Sequence, residues 1–345
     1  MKDYGFNTSY CIADPAPYKV ARVISTHKNL YKVICEQGEK VAVLKSSIYF
    51  NEKSKQSELF PTTGDFVLIQ TNDFGDSLIV KTLKRKTCFS RKDPDVGRGE
   101  QVVAANFDYV FILTSLNNDF NLNRIQRYLA AAWNSGGLPV ILLTKADLVE
   151  QPEEKIREVE KIAPGVNVYA ISVKTGVGLE DLSCYLRPQK SIVFLGSSGV
   201  GKSTLVNTLA GKEIMTVNSI REDDSKGRHT TTHRQLLKLP NGVIIIDTPG
   251  MRELGMWDAD SGISELYSDI EDLFVKCKYS NCSHTHEPGC AVKKALANGT
   301  LSATRWNSYL SLQKEVAFSQ DKVAFHREKK AFFKRLNSQM TKDKW

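Results

Sequence analysis

The sequence predicts a multidomain α/β protein with a β-rich N-terminal part, a central α/β domain and a helical C-terminal module. Three observations support this division. Short alternating segments fill the first part, a strand, a glycine-rich loop and a helix follow one another over residues 191–210, and cysteines cluster between residues 277 and 290. We place the domains at residues 1–92, 93–256 and 257–345.

The N-terminal part contains five short segments of alternating apolar residues, separated by glycine, asparagine and charged turns, which predict five β-strands. The segments are Tyr18–Ile24, Leu30–Ile34, Lys40–Leu44, Asp65–Ile69 and Ser77–Val80. Five such strands permit a small barrel. The strand pattern alone leaves an oligonucleotide-binding (OB) barrel and an SH3-like barrel open.

Residues 196–203 read Gly-Ser-Ser-Gly-Val-Gly-Lys-Ser, a complete phosphate-binding loop between a strand-like run and a segment of helical spacing. The glycines let successive backbone N–H groups turn toward phosphates, while Lys202 would reach the β/γ oxygens and Ser203 would hold Mg²⁺. The predicted nucleotide contacts of this loop are Gly196, Ser197, Ser198, Gly199, Val200, Gly201, Lys202, Ser203 and Thr204.

A second motif, Asp-Thr-Pro-Gly, begins at Asp247 after the apolar run 242–246. At the C-terminal end of a buried strand, Asp247 could hold the water shell of Mg²⁺, and the Gly250 N–H could meet a γ-phosphate.

The intervening segment 227–232 carries three threonines and lacks apolar periodicity. Such a segment suits a switch loop that closes on Mg²⁺ when the γ-phosphate is present. Thr231 is the first candidate ligand, and Thr230 and Thr232 are alternatives.

Base recognition is predicted from two earlier segments. Strand-like residues 139–143 deliver Thr144, Lys145, Ala146 and Asp147 to a loop. A carboxylate there can accept both N1–H and N2–H of guanine, donors that adenine lacks. Residues 169–171 then deliver Ser172, Val173 and Lys174, whose backbone could bind the guanine oxygen. These motifs together indicate GTP. Since the base motif precedes the phosphate loop, the reverse of the usual order, the sequence predicts a circularly permuted P-loop GTPase domain.

The cysteine cluster has the spacing Cys277-x4-Cys282-x-His284-x5-Cys290. Three thiolates and an imidazole match a closed structural zinc site, since soft sulfur and nitrogen ligands fill a tetrahedron. The other four of the seven cysteines are dispersed along the chain. His286 is an alternative imidazole ligand.

The net charge of +8 and the pI of about 9.0 suggest an anionic partner, either RNA or a membrane surface. No apolar run approaches the ~20 residues needed to span a bilayer, so a soluble cytoplasmic protein is expected. A basic linker from Lys84 to Arg98 could touch phosphates. The tail 304–345 mixes aromatic and basic residues, which suits rRNA or a docked amphipathic helix with a solvated face.

These motifs resemble the ribosome-small-subunit-dependent GTPases, the permuted GTPases known in bacteria as RsgA or YjeQ. The most specific segments are 99–108, 123–129, the phosphate loop, 227–232 and the Cys/His cluster. Thr144 replaces the more usual Asn, and Val173 the usual Ala.

The resemblance implies an OB fold and His284 as the zinc ligand. It also implies a subunit-stimulated GTPase that acts in late maturation of the small (30S) ribosomal subunit. The implied partners are that subunit, its 16S rRNA and GTP or GDP. A monomer with structural Zn²⁺, and Mg²⁺ bound with GTP, is expected.

Met251 occupies the position where many GTPases place a water-orienting Gln. An apolar residue cannot orient water, so a slow intrinsic reaction is expected, with help from a partner or from His229, a titratable residue beside the switch threonines. Two other functions stay open. A P-loop ATPase or nucleotide kinase would show no GTP preference, and an RNA-binding assembly factor would not need the intact Lys202.

Overall fold

The computed structural model describes residues 1–10, 16–27, 29–46, 60–92, 100–117, 120–215, 234–247, 263–264 and 266–314. The strands of this part are β1 Lys19–His27, β2 Leu30–Cys35, β3 Gly38–Leu44, β4 Phe66–Gln70, β5 Ser77–Thr82, β6 Cys88–Lys92, β7 Glu100–Ala105, β8 Tyr109–Ser115, β9 Leu138–Thr144, β10 Asn167–Ile171, β11 Ser191–Gly196, β12 Gln235–Lys238 and β13 Ile244–Asp247. The helices are α1 Leu122–Asn134, α2 Pro152–Glu160, α3 Lys202–Ala210, α4 Ser268–Phe274 and α5 Ala291–Ala297. Residues 303–314 are also helical.

The first five strands form a closed barrel in the order β1-β2-β3-β5-β4, because β1 pairs with both β2 and β4. The pair β3–β5 is parallel and skips β4, as in a Greek-key barrel rather than a simple meander. Its interior is apolar, with residues such as Val23, Val33 and Ile69 fully buried. The expected OB-type barrel is confirmed, and the SH3-like alternative is not favoured.

The predicted basic linker is only partly a linker. Its residues Cys88–Lys92 form β6, which pairs antiparallel with β7. Arg85 donates to both carboxylate oxygens of the fully buried Asp65, at 2.8–3.2 Å, and its own side chain is nearly buried. Its charge is therefore used inside the protein and is not presented to phosphates.

The central domain contains a sheet in the order β10-β9-β8-β11-β13-β12, with all neighbours parallel except the last pair. Helix α1 connects β8 to β9, and α2 connects β9 to β10. The Asn121 side chain caps α1 by accepting from the Arg124 N–H, and the apolar face of α1 buries Ile125 and Leu129. Because most strands are parallel, their carboxyl ends lie at one edge.

The barrel and the central sheet are joined in two ways. Strand β1 pairs with β12 through Ser25 and Gln235, so the strands of both domains form one eleven-stranded sheet. Beside this pair, the fully buried Arg22 donates four hydrogen bonds, which end on four separate segments of the chain. The acceptors are the carbonyls of Tyr4 (2.6 Å), Gly64 (3.1 Å) and Asn106 (2.7 Å) and the Ser191 Oγ (3.1 Å).

The C-terminal helices pack on the central domain. Tyr267, Ile270, Val292 and Leu312 are buried in the same hydrophobic cluster as Leu129 of α1. Within the residues described, no helix is both long and apolar enough to cross a bilayer.

Candidate functional site

The strand register brings the predicted nucleotide motifs to one edge of the sheet. Thr144 of β9 lies opposite Ser115 of β8 and opposite Ile171 of β10, and Gly196 of β11 lies opposite Leu113 of β8. The base motif, Ser172 and the phosphate loop therefore all leave the sheet at its carboxyl edge. Crevices at this edge are where open α/β sheets bind ligands.

The backbone of the phosphate loop has positive φ angles at its glycines. Gly196 has φ 154°, and a Cβ there would lie 2.7 Å from the Leu113 carbonyl oxygen. Gly201 has φ 99° and caps α3, which starts at Lys202. A glycine-rich loop that leads into a helix N-terminus is the arrangement that commonly binds anions.

Asp247 ends β13, the neighbour of the strand that leads into the phosphate loop. Burial raises the pKa of Asp247, and the positive charge of Lys202 opposes that rise. Each cation added near Asp247 would stabilise its carboxylate form. The position therefore suits a carboxylate that acts beside a divalent cation.

The base loop holds an exposed carboxylate in a fixed orientation. The Ser172 hydroxyl donates to Asp147 Oδ1 at 2.6 Å, and the Thr175 N–H donates to the same hydroxyl at 3.3 Å. The pKa of Asp147 lies below its ordinary value, mainly because of the Ser172 bond, with a further contribution from Lys174. Asp147 is thus ready to accept two N–H groups from a base. Sequence reasoning assigned Ser172 a backbone role and missed this side-chain role.

A second contact missed from the sequence joins the base loop to the phosphate loop. The buried Thr144 hydroxyl donates to the Val200 carbonyl at 2.7 Å, and Val200 is itself buried. The two loops, separated by more than fifty residues in the chain, are thereby fixed to each other. Thr144, which stands where the family usually has Asn, supplies the donor at this place.

Several predicted residues lie outside the described part of the chain. They are Thr230, Thr231 and Thr232, together with His229, Gly250 and Met251.

The Cys/His cluster is brought together by the fold. One ligand atom each from Cys277, Cys282, His284 and Cys290 lies within 4.8 Å of all the others. His284 Nδ1 is 3.6 Å from the Sγ atoms of both Cys277 and Cys290. A tetrahedral zinc with Zn–S near 2.3 Å and Zn–N near 2.0 Å requires an S···N separation of about 3.5 Å, close to the distances in the cluster. The cluster therefore fits zinc.

The electrostatic environment of the three cysteine thiols favours a bound cation. Burial works against the thiolate of Cys277, but N–H groups of Ala291 and Val292 lower its pKa below the usual value. Burial raises the pKa of Cys282 to about 11, and the other two sulfurs contribute to the increase. Three adjacent thiolates are costly without a metal, and a bound cation would deprotonate them.

A parallel sheet with a phosphate loop and a guanine-type base loop in inverted chain order defines a circularly permuted GTPase. Comparisons with known proteins agree. The model of the RsgA GTPase family matches residues 82–257. A Listeria monocytogenes protein, small ribosomal subunit biogenesis GTPase RsgA 2, is 45% identical over 325 residues, covering 93% of this chain and 91% of its own. A Listeria innocua relative, RsgA 1, is 46% identical over the same length.

The solved structure of YjeQ from Thermotoga maritima matches with a TM-score of 0.65 and 28% identity, covering 87% of this chain and 99% of that one. The chain belongs to the RsgA GTPase family.

Proposed function

We propose that this GTPase binds the small ribosomal subunit and assists its late maturation, hydrolysing GTP to GDP and phosphate with stimulation by the subunit. The observation that carries the nucleotide part is the bond from Thr144 to the Val200 carbonyl, which fixes a guanine-type loop to a phosphate loop. The ribosomal part is supported by the relatives, which are named small ribosomal subunit biogenesis GTPases.

The proposed roles follow the site from base to phosphate. Asp147 accepts the two guanine donors, and the backbone of residues 172–174 meets the guanine oxygen. The remaining proposed contacts to GTP are Thr144, Lys145, Ala146, Gly196, Ser197, Ser198, Gly199, Val200, Gly201, Lys202, Ser203, Thr204, Asp247 and Gly250.

In hydrolysis, Lys202 and the loop N–H groups stabilise the charge that develops on the γ-phosphoryl oxygens. When bound, Mg²⁺ would neutralise negative charge on the phosphates of GTP. Ser203 would hold it directly, Asp247 through water, and Thr231 after the switch closes. Met251 cannot orient the attacking water, so we assign that step to His229, placed by contact with the subunit.

The decisive experiment measures single-turnover hydrolysis of GTP and ATP, with and without purified small subunits. We expect turnover of GTP alone and a strong increase with subunits. The variant Lys202→Ala, assayed with the same subunits, controls for contaminating nucleotidases. Equal use of ATP would indicate an ATPase or nucleotide kinase. Subunit binding without any turnover would indicate an assembly factor that is not an enzyme.

We also propose that Cys277, Cys282, His284 and Cys290 hold one structural zinc, with no coordination position left for catalysis. Elemental analysis should give one zinc per chain. His284→Ala should lose zinc while the matched variant His286→Ala keeps it, and Cys282→Ser should lose zinc but keep GTP binding. A folded wild-type protein without metal would overturn this proposal.

The remaining proposals concern partners. A monomer contacts 16S rRNA through the barrel and the basic tail beyond residue 314. Binding that depends on phosphate contacts weakens steeply as salt rises. Sedimentation of the protein with subunits over a salt series tests this, and salt-independent binding would contradict it.

A further inference from the structure

The loop that carries His284 is organised by a single carboxylate, that of Glu287. Its Oε1 accepts from the Ser283 N–H at 2.9 Å and from the Ser283 hydroxyl at 2.5 Å. Its Oε2 accepts from the Thr285 N–H at 3.2 Å and the His286 N–H at 3.1 Å. Three backbone N–H groups of one turn therefore converge on one side chain. This is an anion-binding arrangement in which the Glu287 carboxylate is itself the bound anion.

This turn holds its metal-binding residue in an unusual conformation. His284 has φ 61°, in the left-handed region that residues with a Cβ seldom adopt. The backbone bonds accepted by Glu287 lie on both sides of His284, at Ser283 and at Thr285. Releasing them would let His284 return to an ordinary conformation, which would move the imidazole away from the sulfur atoms.

The ring itself has separate support. Phe274 stacks on the imidazole with centroids 4.2 Å apart and planes at 17°, and Trp306 meets it edge-on at 6.0 Å. These contacts fix the tilt of the ring once the backbone has placed it. With the ring so placed, Nδ1 lies 3.6 Å from two sulfur atoms.

We propose that Glu287 is a positioning residue for the metal site, whose carboxylate fixes the 283–286 turn so that His284 Nδ1 completes the Cys₃His set. The inference rests on the proposed zinc site. The carboxylate of Glu287 accepts hydrogen bonds from Ser283, Thr285 and His286, so it acts on His284 through the backbone. Residues behind a ligand commonly alter metal affinity by about 10–100-fold.

The test compares the full-length wild type with Glu287→Ala, Glu287→Gln and the control Asp272→Asn. Asp272 is exposed in the same module, and the backbone bonds of the turn end on Glu287, so the Asp272 variant loses one negative charge and leaves those bonds in place. Zinc release is followed with a chromogenic chelator. We expect release about 10–100-fold faster in Glu287→Ala and unchanged in Asp272→Asn. Glu287→Gln keeps one acceptor oxygen and should be intermediate.

Replacing zinc by Co²⁺ supplies a readout that general loosening would not produce. The Co²⁺ spectrum of Glu287→Ala should no longer match coordination by three sulfur atoms and one nitrogen, because the imidazole leaves. The thiolate charge-transfer bands should stay, because the three sulfur ligands remain. If Glu287→Ala fails to fold or to retain metal, Glu287→Gln decides the question by its release rate. A wild-type rate and spectrum in Glu287→Gln, or in Glu287→Ala, overturns the role of Glu287. A wild type without zinc instead overturns the metal site itself.

Discussion

Replacing Arg22 by Met should weaken the coupling between the barrel and the nucleotide domain and so lower the stability of the protein. The substitution removes four hydrogen bonds from a charged donor but keeps much of the apolar volume. At about 1.5 kcal/mol for each bond, the loss is roughly 6 kcal/mol. Burial opposes the charge of the same guanidinium and lowers its pKa to about 10, and relief of that penalty returns roughly 3 kcal/mol. The net destabilisation is therefore about 3 kcal/mol.

Differential scanning calorimetry measures this effect. A loss of about 3 kcal/mol in a domain of this size should lower the first transition by about 12–24 °C. The barrel should unfold first, because the substituted residue lies in its strand β1. GDP should raise only the later transition, since it binds the nucleotide domain. Arg187→Met, which removes an exposed arginine near the same junction, should leave the profile unchanged. A profile of Arg22→Met within about 1 °C of the wild type would refute the reasoning.

Four further predictions concern the nucleotide site. Asp147→Asn should weaken GTP binding by about 10–150-fold and favour xanthosine nucleotides, whose 2-oxo group accepts from the new amide; unchanged GTP affinity would place base recognition elsewhere. Ser172→Ala should raise the pKa of Asp147 toward its ordinary value, so titration of GDP affinity downward from neutral pH should show binding lost at a higher pH than in the wild type. Thr144→Val leaves the buried Val200 carbonyl without its donor and should cost about 1–3 kcal/mol in a denaturant melt, whereas Thr144→Ser should be close to wild type. His229→Ala should lose the stimulation by small subunits in single-turnover assays while keeping GTP affinity and subunit binding; stimulation that persists would assign the water to another group.

The sequence alone indicated the parts of the site whose function lies in local backbone. A phosphate loop needs a strand before it, glycines within it and a helix after it, and all three are visible in residues 191–210. The same holds for the metal cluster, whose ligands lie within fourteen positions of one another. Short-range spacing of this kind survives in a linear sequence.

Long-range contacts were not predictable in the same way. Arg85 belongs to a run of basic residues, and only the fold reveals that a buried Asp65 neutralises it. Arg22 stands in an ordinary alternating strand, and three of its four acceptors are backbone carbonyls, which every sequence contains. The contacts of Glu287 are local, but they were equally hidden, because nothing in the sequence marks a carboxylate that accepts from N–H groups of its own turn. Such partners depend on geometry rather than on residue type.

The pairing of Ser25 with Gln235 connects the barrel to the strands that lead to the nucleotide site. Gln235 also pairs with Asp247 on its other side, and the Thr63 hydroxyl donates to the Arg234 carbonyl just before β12 begins. A strand held on both sides cannot slide by one residue without turning its buried side chains outward. A displacement of β12 would therefore move β1 with it. The barrel strand β1 is thus separated by a single strand, β12, from Asp247, the residue proposed to face Mg²⁺.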